Sequence, residues 1–88
     1  MVEREIRVIN TLGVHARPSS KIVQTANRYR SKISLCRDGN NADAKSILHV
    51  MMLGADYDSV VTIRASGDDE KEAADAIAAL FEQKFNEE

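Results

Sequence analysis

The segment GVHARPSS, from Gly13 to Ser20, contains the residues of this 88-residue chain whose types and spacing could do chemistry together. His15 stands where a loop gives way to a predicted helix, and the unpaired amides and positive dipole end of a helix N-terminus favour an anion. Arg17 follows closely enough for its guanidinium to hold phosphoryl oxygens with paired hydrogen bonds. Because histidine titrates near neutrality, a neutral nucleophilic nitrogen is available at cellular pH. The segment therefore predicts a phosphoryl-accepting His15 assisted by Arg17.

This prediction depends on the combination, since each residue alone says little. A loop histidine is more often an incidental surface residue, and an arginine in a first helical turn is usually only solvated. Gly13 would let the loop turn tightly and leave the imidazole exposed. Such a shallow site requires no metal or cofactor, and His15, Cys36 and His49 lack the spacing of a metal-ligand set.

Seven elements are predicted around this segment from alternating and helical periodicities. Strands are predicted over residues 3–10, 32–37, 40–44 and 60–65, and helices over 16–29, over 47–53 and after a cap at Asp68. The Asp38-Gly39 pair predicts a hairpin between the second and third strands. The order is β-α-β-β-α-β-α, and helices too few to cover both sheet faces predict an α+β fold, a two-layer sandwich with one open face.

The composition narrows the class of protein. Eighty-eight residues with 43% hydrophobic residues predict one globular domain over residues 1–88. No apolar run approaches the roughly 18–20 residues that span a bilayer, so no membrane is expected as a partner. The N-terminal residues lack the apolar region of a signal peptide, and the lone Cys36 cannot form an internal disulfide. We therefore expect a soluble, cytoplasmic protein.

Charge is distributed unevenly along the chain. Residues 1–50 hold nine Lys and Arg against four Asp and Glu, whereas residues 51–88 hold three against ten. A basic face of this kind fits an anionic ligand or an acidic protein partner, although charge alone leaves a merely solvated surface equally open. Nucleic acid is not expected as a partner, because the acidic half would repel it and aromatic residues are only 5%.

Two motifs make the chain resemble the HPr family of phosphocarriers. The stretch GVHARP resembles the family's active-site signature, and AKSIL, from Ala44 to Leu48, resembles its second conserved block. The resemblance extends to length, element order and the Asp38-Gly39 hairpin. It implies an HPr-like open-faced sandwich in which three helices cover one face of a four-stranded antiparallel sheet. It also implies a carrier rather than an enzyme, which accepts a phosphoryl group from enzyme I on Nδ1 of His15 and passes it to IIA components of the sugar phosphotransferase system.

The resemblance further implies a regulatory site. Ser46 resembles the serine that HPr kinase/phosphorylase modifies, which would make that enzyme a further partner. A plain helix cap would equally select serine at this position. Asp43 departs from the family pattern by adding negative charge close to Ser46, and His49 occupies a position that is often Gly or Lys. Leu12 stands where a polar side chain often holds the imidazole, so the ring of His15 must be oriented in another way.

The short second helix is expected to carry a docking surface. The residues predicted to bind partner proteins are Ala16, Ser20, Lys21, Ile47, Leu48 and Met51. Val50 and Leu53 would then point into the core, although periodicity alone would equally place these two and Ile47, Leu48 and Met51 in the core. Methionine suits a surface that adapts to several partners, and basic Arg17 and Lys21 would speed encounter with acidic ones. The protein is expected to act as a monomer.

Three other functions stay open at the level of sequence. The first is a homologue of the nitrogen-regulatory branch of the phosphotransferase system. The second is a small phosphohydrolase of acylphosphatase type, in which Asn10 would position a water molecule, although no Gly-rich phosphate cradle is present. The third is a purely regulatory homologue, but such proteins typically lack the histidine that is present here at His15.

Overall fold

The predicted order of elements is present in the computed structural model, which describes residues 1–10 and 13–86. The strands are β1 (Val2–Arg7), β2 (Lys32–Arg37), β3 (Asn40–Asp43) and β4 (Val60–Ser66). The helices are α1 (Ala16–Ala26), α2 (Ile47–Met52) and α3 (Glu70–Glu82), and a 3-10 turn, Lys84–Asn86, follows α3. None of the helices in these two ranges has the length and apolar character of a membrane span.

The four strands form one antiparallel sheet in the order β1-β4-β2-β3. Successive side chains of a strand point to opposite faces, so each strand offers one row of residues to the core. The register places Leu35 opposite Ile63 and Ile33 opposite Ala65, and all four are buried. The sheet therefore has one apolar face, as the alternating pattern predicts.

All three helices cover this face. Ile22 of α1, Val50 of α2 and Ile77 of α3 are fully buried in the same core cluster as the inward residues of β2 and β4. The expected HPr-like two-layer α+β sandwich is confirmed. The opposite face is left open and polar: Arg64 contacts Glu3 there with 2.5 Å between Nε and Oε2. Cys36 lies half-buried on this open face.

Two predicted boundaries are wrong, because the backbone hydrogen bonding changes before the end of each predicted element. Helix α1 ends at Ala26 rather than Tyr29, since the amides of Arg28 and Tyr29 donate to carbonyls three residues back and tighten the chain into a turn. Strand β1 ends at Arg7 rather than Asn10. Beyond Arg7 the amide of Val8 donates to the Ser59 carbonyl, outside β4.

The start of α3 also differs from the prediction. The N-cap residue is Asp69 and not Asp68, and its carboxylate makes no cap hydrogen bond. It instead accepts hydrogen bonds from the Ser31 hydroxyl and from the amides of Ser31 and Arg30, at 2.5, 2.9 and 3.0 Å. These donors, the Ser31 hydroxyl first and the Arg30 amide second, lower the pKa of Asp69 from 3.8 to about 2. The carboxylate thus joins α3 to the start of β2.

The C-terminal turn uses backbone geometry that the sequence pattern does not indicate. Lys84, Phe85 and Asn86 have φ values of 52°, 56° and 60°. Such values are unfavourable for residues other than glycine, but they let the buried Phe85 ring pack edge-on against Phe81, with centroids 4.9 Å apart. Lys21 Nζ of α1 donates to the Phe85 carbonyl. Burial and this hydrogen bond together offset the unfavourable backbone.

Candidate functional site

His15 is the N-cap residue of α1, between the buried Val14 and the first helical turn. Its backbone is extended, with φ −92° and ψ −162°, and its half-buried imidazole makes no cap hydrogen bond. The amides of Ala16 and Arg17 belong to the first turn and have no acceptor within the helix. No acidic residue lies in that turn. The helix end therefore offers an anion two amides and the positive dipole end, with no carboxylate in its own first turn.

Arg17 lies exposed in the same turn. It makes no hydrogen bond or ion pair with any residue in 1–10 or 13–86. Pro18, the next residue, is buried and starts the helix without needing an acceptor for an amide. The guanidinium is consequently available to a ligand beside His15.

The backbone before His15 is fixed from several sides. Gly13 has φ +68°, and a Cβ atom there would lie 2.7 Å from the carbonyl oxygen of Ala55. Only glycine can therefore occupy this close approach. The amide of Val14 donates to the same Ala55 oxygen at 2.8 Å, and the side chain of Val14 is buried. The loop after α2 thus holds the segment that carries His15.

Helix α2 exposes the predicted apolar patch. Ile47 and Met51 are each 45% exposed and Leu48 is 63% exposed, whereas Val50 and Leu53 are buried as predicted. Helix α2 packs against α1, and the loop that follows α2 contacts Val14, so the helix that bears the patch neighbours the helix that begins after His15. We call Ile47, Leu48, Met51 and Met52 the α2 patch.

Met52 was missed by the sequence reasoning. It is 74% exposed, more than any other member of the α2 patch. The signal was available, because Met52 follows Leu48 by one helical turn and residues four apart share a helix face.

The other residues predicted to bind partners differ in their exposure and in their hydrogen bonds. Ala16 is exposed and Ser20 is half-buried, with Gln24 Nε2 3.4 Å from its hydroxyl. Lys21 is half-buried and engaged with the C-terminal turn, so its charge is less available than that of Arg17. Leu12, at which the sequence departs from the family pattern, lies outside the described residues.

Ser46 is the N-cap of α2. Its hydroxyl accepts from the His49 amide at 3.4 Å, and its own amide donates to the Asp43 carbonyl at 3.0 Å. The Asp43 carboxylate accepts from the Lys45 amide at 2.9 Å. The capping interpretation of Ser46 is therefore realised in the structure, and the Asp43 charge lies in the turn immediately before it.

Asn10 does not fit the role that a phosphohydrolase would require of it. It is only 1% exposed, and Nδ2 donates to the Gly13 carbonyl at 2.6 Å. A side chain so placed cannot orient a water molecule at an open site. Within the described ranges, no three His, Cys, Asp or Glu side chains are grouped as metal ligands would be.

Comparison with known proteins identifies the family. A family model described as the PTS HPr component phosphorylation site matches residues 2–83. The chain belongs to the HPr family. It is 46% identical over 87 residues to the phosphocarrier protein HPr of Cupriavidus necator, covering 99% of this chain and 98% of that protein. It is 43% identical to the phosphocarrier protein NPr of Proteus mirabilis, with 97% and 96% covered.

A solved HPr structure shares the fold over the whole chain. The crystal structure of HPr-C-His from Thermoanaerobacter tengcongensis is 44% identical and matches with a TM-score of 0.96, covering 100% of this chain and 99% of that one. The resemblance that the two sequence motifs indicate is thus confirmed. This family is the HPr phosphocarrier family of the phosphotransferase system.

Proposed function

We propose that this HPr-family chain accepts a phosphoryl group from enzyme I on His15 and passes it to IIA components. The observation that carries the proposal is the position of His15 at the N-terminus of α1, with an unengaged Arg17 in the first turn of that helix and the exposed α2 patch on the neighbouring helix. This arrangement supports a site in which a nucleophile, anion-binding amides and a docking surface act together.

The transfer step needs little beyond positioning. An unprotonated imidazole nitrogen of His15 attacks phosphorus, the new N–P bond forms as the bond to the donor atom breaks, and the donor keeps that electron pair. Charge accumulates on the three equatorial oxygens in the transition state. Arg17 and the amides of the first turn of α1 stabilise that charge. The step reverses when a IIA component approaches, with His15 as the leaving group.

A carrier must also release what it accepts. Interactions that bind the phosphorylated ground state tightly would slow onward transfer, since only transition-state interactions accelerate it. One solvent-exposed arginine and two helix amides suit this requirement better than a closed pocket. The buried Asn10 removes the water-positioning residue of the phosphohydrolase alternative.

We further propose that Ser46 is a site of regulatory phosphorylation by HPr kinase/phosphorylase. A phosphate on the Ser46 hydroxyl would sit at the first turn of α2, where helix amides can receive it. It would add about −1.5 to −2 charges directly beside Ile47 and Leu48. An acidic partner would consequently dock less well, while the helix would remain folded.

The test of the main proposal is labelling with enzyme I and phosphoenolpyruvate. Wild-type protein and His49→Ala should incorporate one acid-labile, base-stable phosphoryl group, and His15→Ala should incorporate none. His49 is the matched control because it is the other histidine of the chain and is exposed on α2. Label retained by His15→Ala, or continuous release of free phosphate by the wild-type protein, would refute the proposal.

A further inference from the structure

Among residues 1–10 and 13–86, Asn10 is one of three polar residues that are almost fully buried, together with Ser19 and Ser31. Burying a carboxamide is costly unless it is hydrogen-bonded, so a buried asparagine usually holds a specific partner. That partner is the carbonyl oxygen of Gly13, to which Nδ2 donates at 2.6 Å. The Gly13 amide in turn donates to the Asn10 carbonyl at 3.0 Å.

The Gly13 carbonyl belongs to the same peptide unit as the Val14 amide. A peptide unit is planar, with its carbonyl and amide on opposite edges, so holding both edges fixes its orientation. Asn10 holds one edge through the Gly13 oxygen, and the Ala55 carbonyl holds the other through the Val14 amide at 2.8 Å. This clamped peptide is joined through the α-carbon of Val14 to the peptide unit that contains the His15 nitrogen.

We propose that Asn10 is a positioning residue for phosphoryl transfer at His15. By fixing the Gly13–Val14 peptide, the side chain sets the direction in which the chain enters α1 and hence where the imidazole stands relative to Arg17. The inference rests on the proposed function of His15. Asn10 is buried and never touches the phosphoryl group, so it acts through the backbone rather than as a catalytic residue.

The expected signature is a change in turnover without a change in docking. Without the carboxamide donor, the Gly13–Val14 peptide gains rotational freedom and His15 spends less time in the productive geometry. Misplacement by about 1 Å can cost about 100-fold in rate, so we expect about a 10- to 100-fold lower kcat for acceptance from enzyme I. The KM for enzyme I should stay unchanged, because the α2 patch is untouched.

The experiment compares Asn10→Ala and Asn10→Leu with Ser19→Ala. Asn10→Leu keeps nearly the size and branching of the side chain but has no hydrogen-bond donor, so it replaces Asn10→Ala if the latter does not fold. Ser19 is the matched control, because it is equally buried and its hydroxyl has no hydrogen-bond partner among the described residues. Ser19→Ala should transfer at the wild-type rate. Folded Asn10 variants with the wild-type kcat would overturn the inference.

Two further measurements separate positioning from stability and from failure of the proposed function. Amide signals of Val14 and His15 should broaden in Asn10→Ala at temperatures where the protein is fully folded. In the wild-type protein the Val14 amide should exchange slowly with deuterium. Exchange as fast as that of an open loop would show that the Gly13–Val14 peptide is not held in place, and this result is accessible even if neither variant folds. A wild-type protein that never labels would refute the proposed function and this inference together, whereas labelling of wild type and variants at one rate refutes the inference alone.

Discussion

Replacing Leu48 by aspartate should weaken docking without unfolding the protein. Burial of a whole leucine side chain is worth about 1.5–3 kcal/mol, and Leu48 is 63% exposed. Covering the remaining surface by a partner is thus worth about 1–2 kcal/mol, so Leu48→Asp should raise the KM for enzyme I by about 5- to 30-fold. An acidic partner would add charge repulsion to this loss. The kcat should change little, since His15 and Arg17 are untouched.

The stability of Leu48→Asp should stay close to that of the wild type. Exposed substitutions usually change the free energy of unfolding by no more than about 0.5 kcal/mol, which is less than about 4 °C in Tm for a domain of this size. An aspartate in the first turn of α2 also meets the favourable end of the helix dipole.

Val50→Ala is the opposite perturbation on the same helix. Val50 is fully buried, and removing two methyl groups costs about 1.6 kcal/mol in transfer free energy plus a cavity term. A loss of about 2–3 kcal/mol lowers Tm by about 8–20 °C, while the KM measured on folded protein should hold. Thermal unfolding and steady-state transfer from enzyme I check both variants. A Leu48→Asp protein that melts more than 10 °C lower, or that keeps the wild-type KM, would refute the assignment of Leu48 to a docking surface and of Val50 to the core.

Three further predictions concern charge. Arg17→Ala should slow transfer by about 10- to 100-fold, because a charge-assisted contact is worth about 1.5–3 kcal/mol, and a rate equal to wild type would remove Arg17 from the mechanism. Ser46→Asp should retain the helix cap yet raise the KM for enzyme I. Ser46→Ala should keep the wild-type KM but lose about 0.5–2 kcal/mol of stability. If both variants accept phosphate at the wild-type rate, Ser46 is a helix cap only. Since the folded-state pKa of Asp69 is lowered from 3.8 to about 2, its carboxylate stabilises the fold above pH 4 and loses that effect as pH falls towards 2. The stability difference between wild type and Asp69→Asn in urea unfolding should therefore shrink over this range, and a difference independent of pH would contradict the assignment.

The sequence by itself determined which faces of the elements are apolar. The alternation in β2 gave its bounds. In α2 the periodicity left Leu48 open between core and surface, and the resemblance to the HPr family favoured the exposure that the structure shows. Alternation predicts the buried face of a strand because successive side chains point to opposite faces of the sheet. The combination of His15 with Arg17 at a strand-to-helix junction was also visible, because these residues are neighbours in the sequence.

Only the tertiary structure decided which distant groups form hydrogen bonds with the polar side chains and with the C-terminal turn. Asp69 bonds Ser31, 38 residues away, instead of capping its own helix. Lys21 bonds the Phe85 carbonyl, 64 residues away, instead of standing free beside Arg17. Periodicity reports which side of an element is buried, but it carries no record of the acceptor that another segment brings there. Donors and acceptors find each other only when packing of the core has fixed the backbones that bear them.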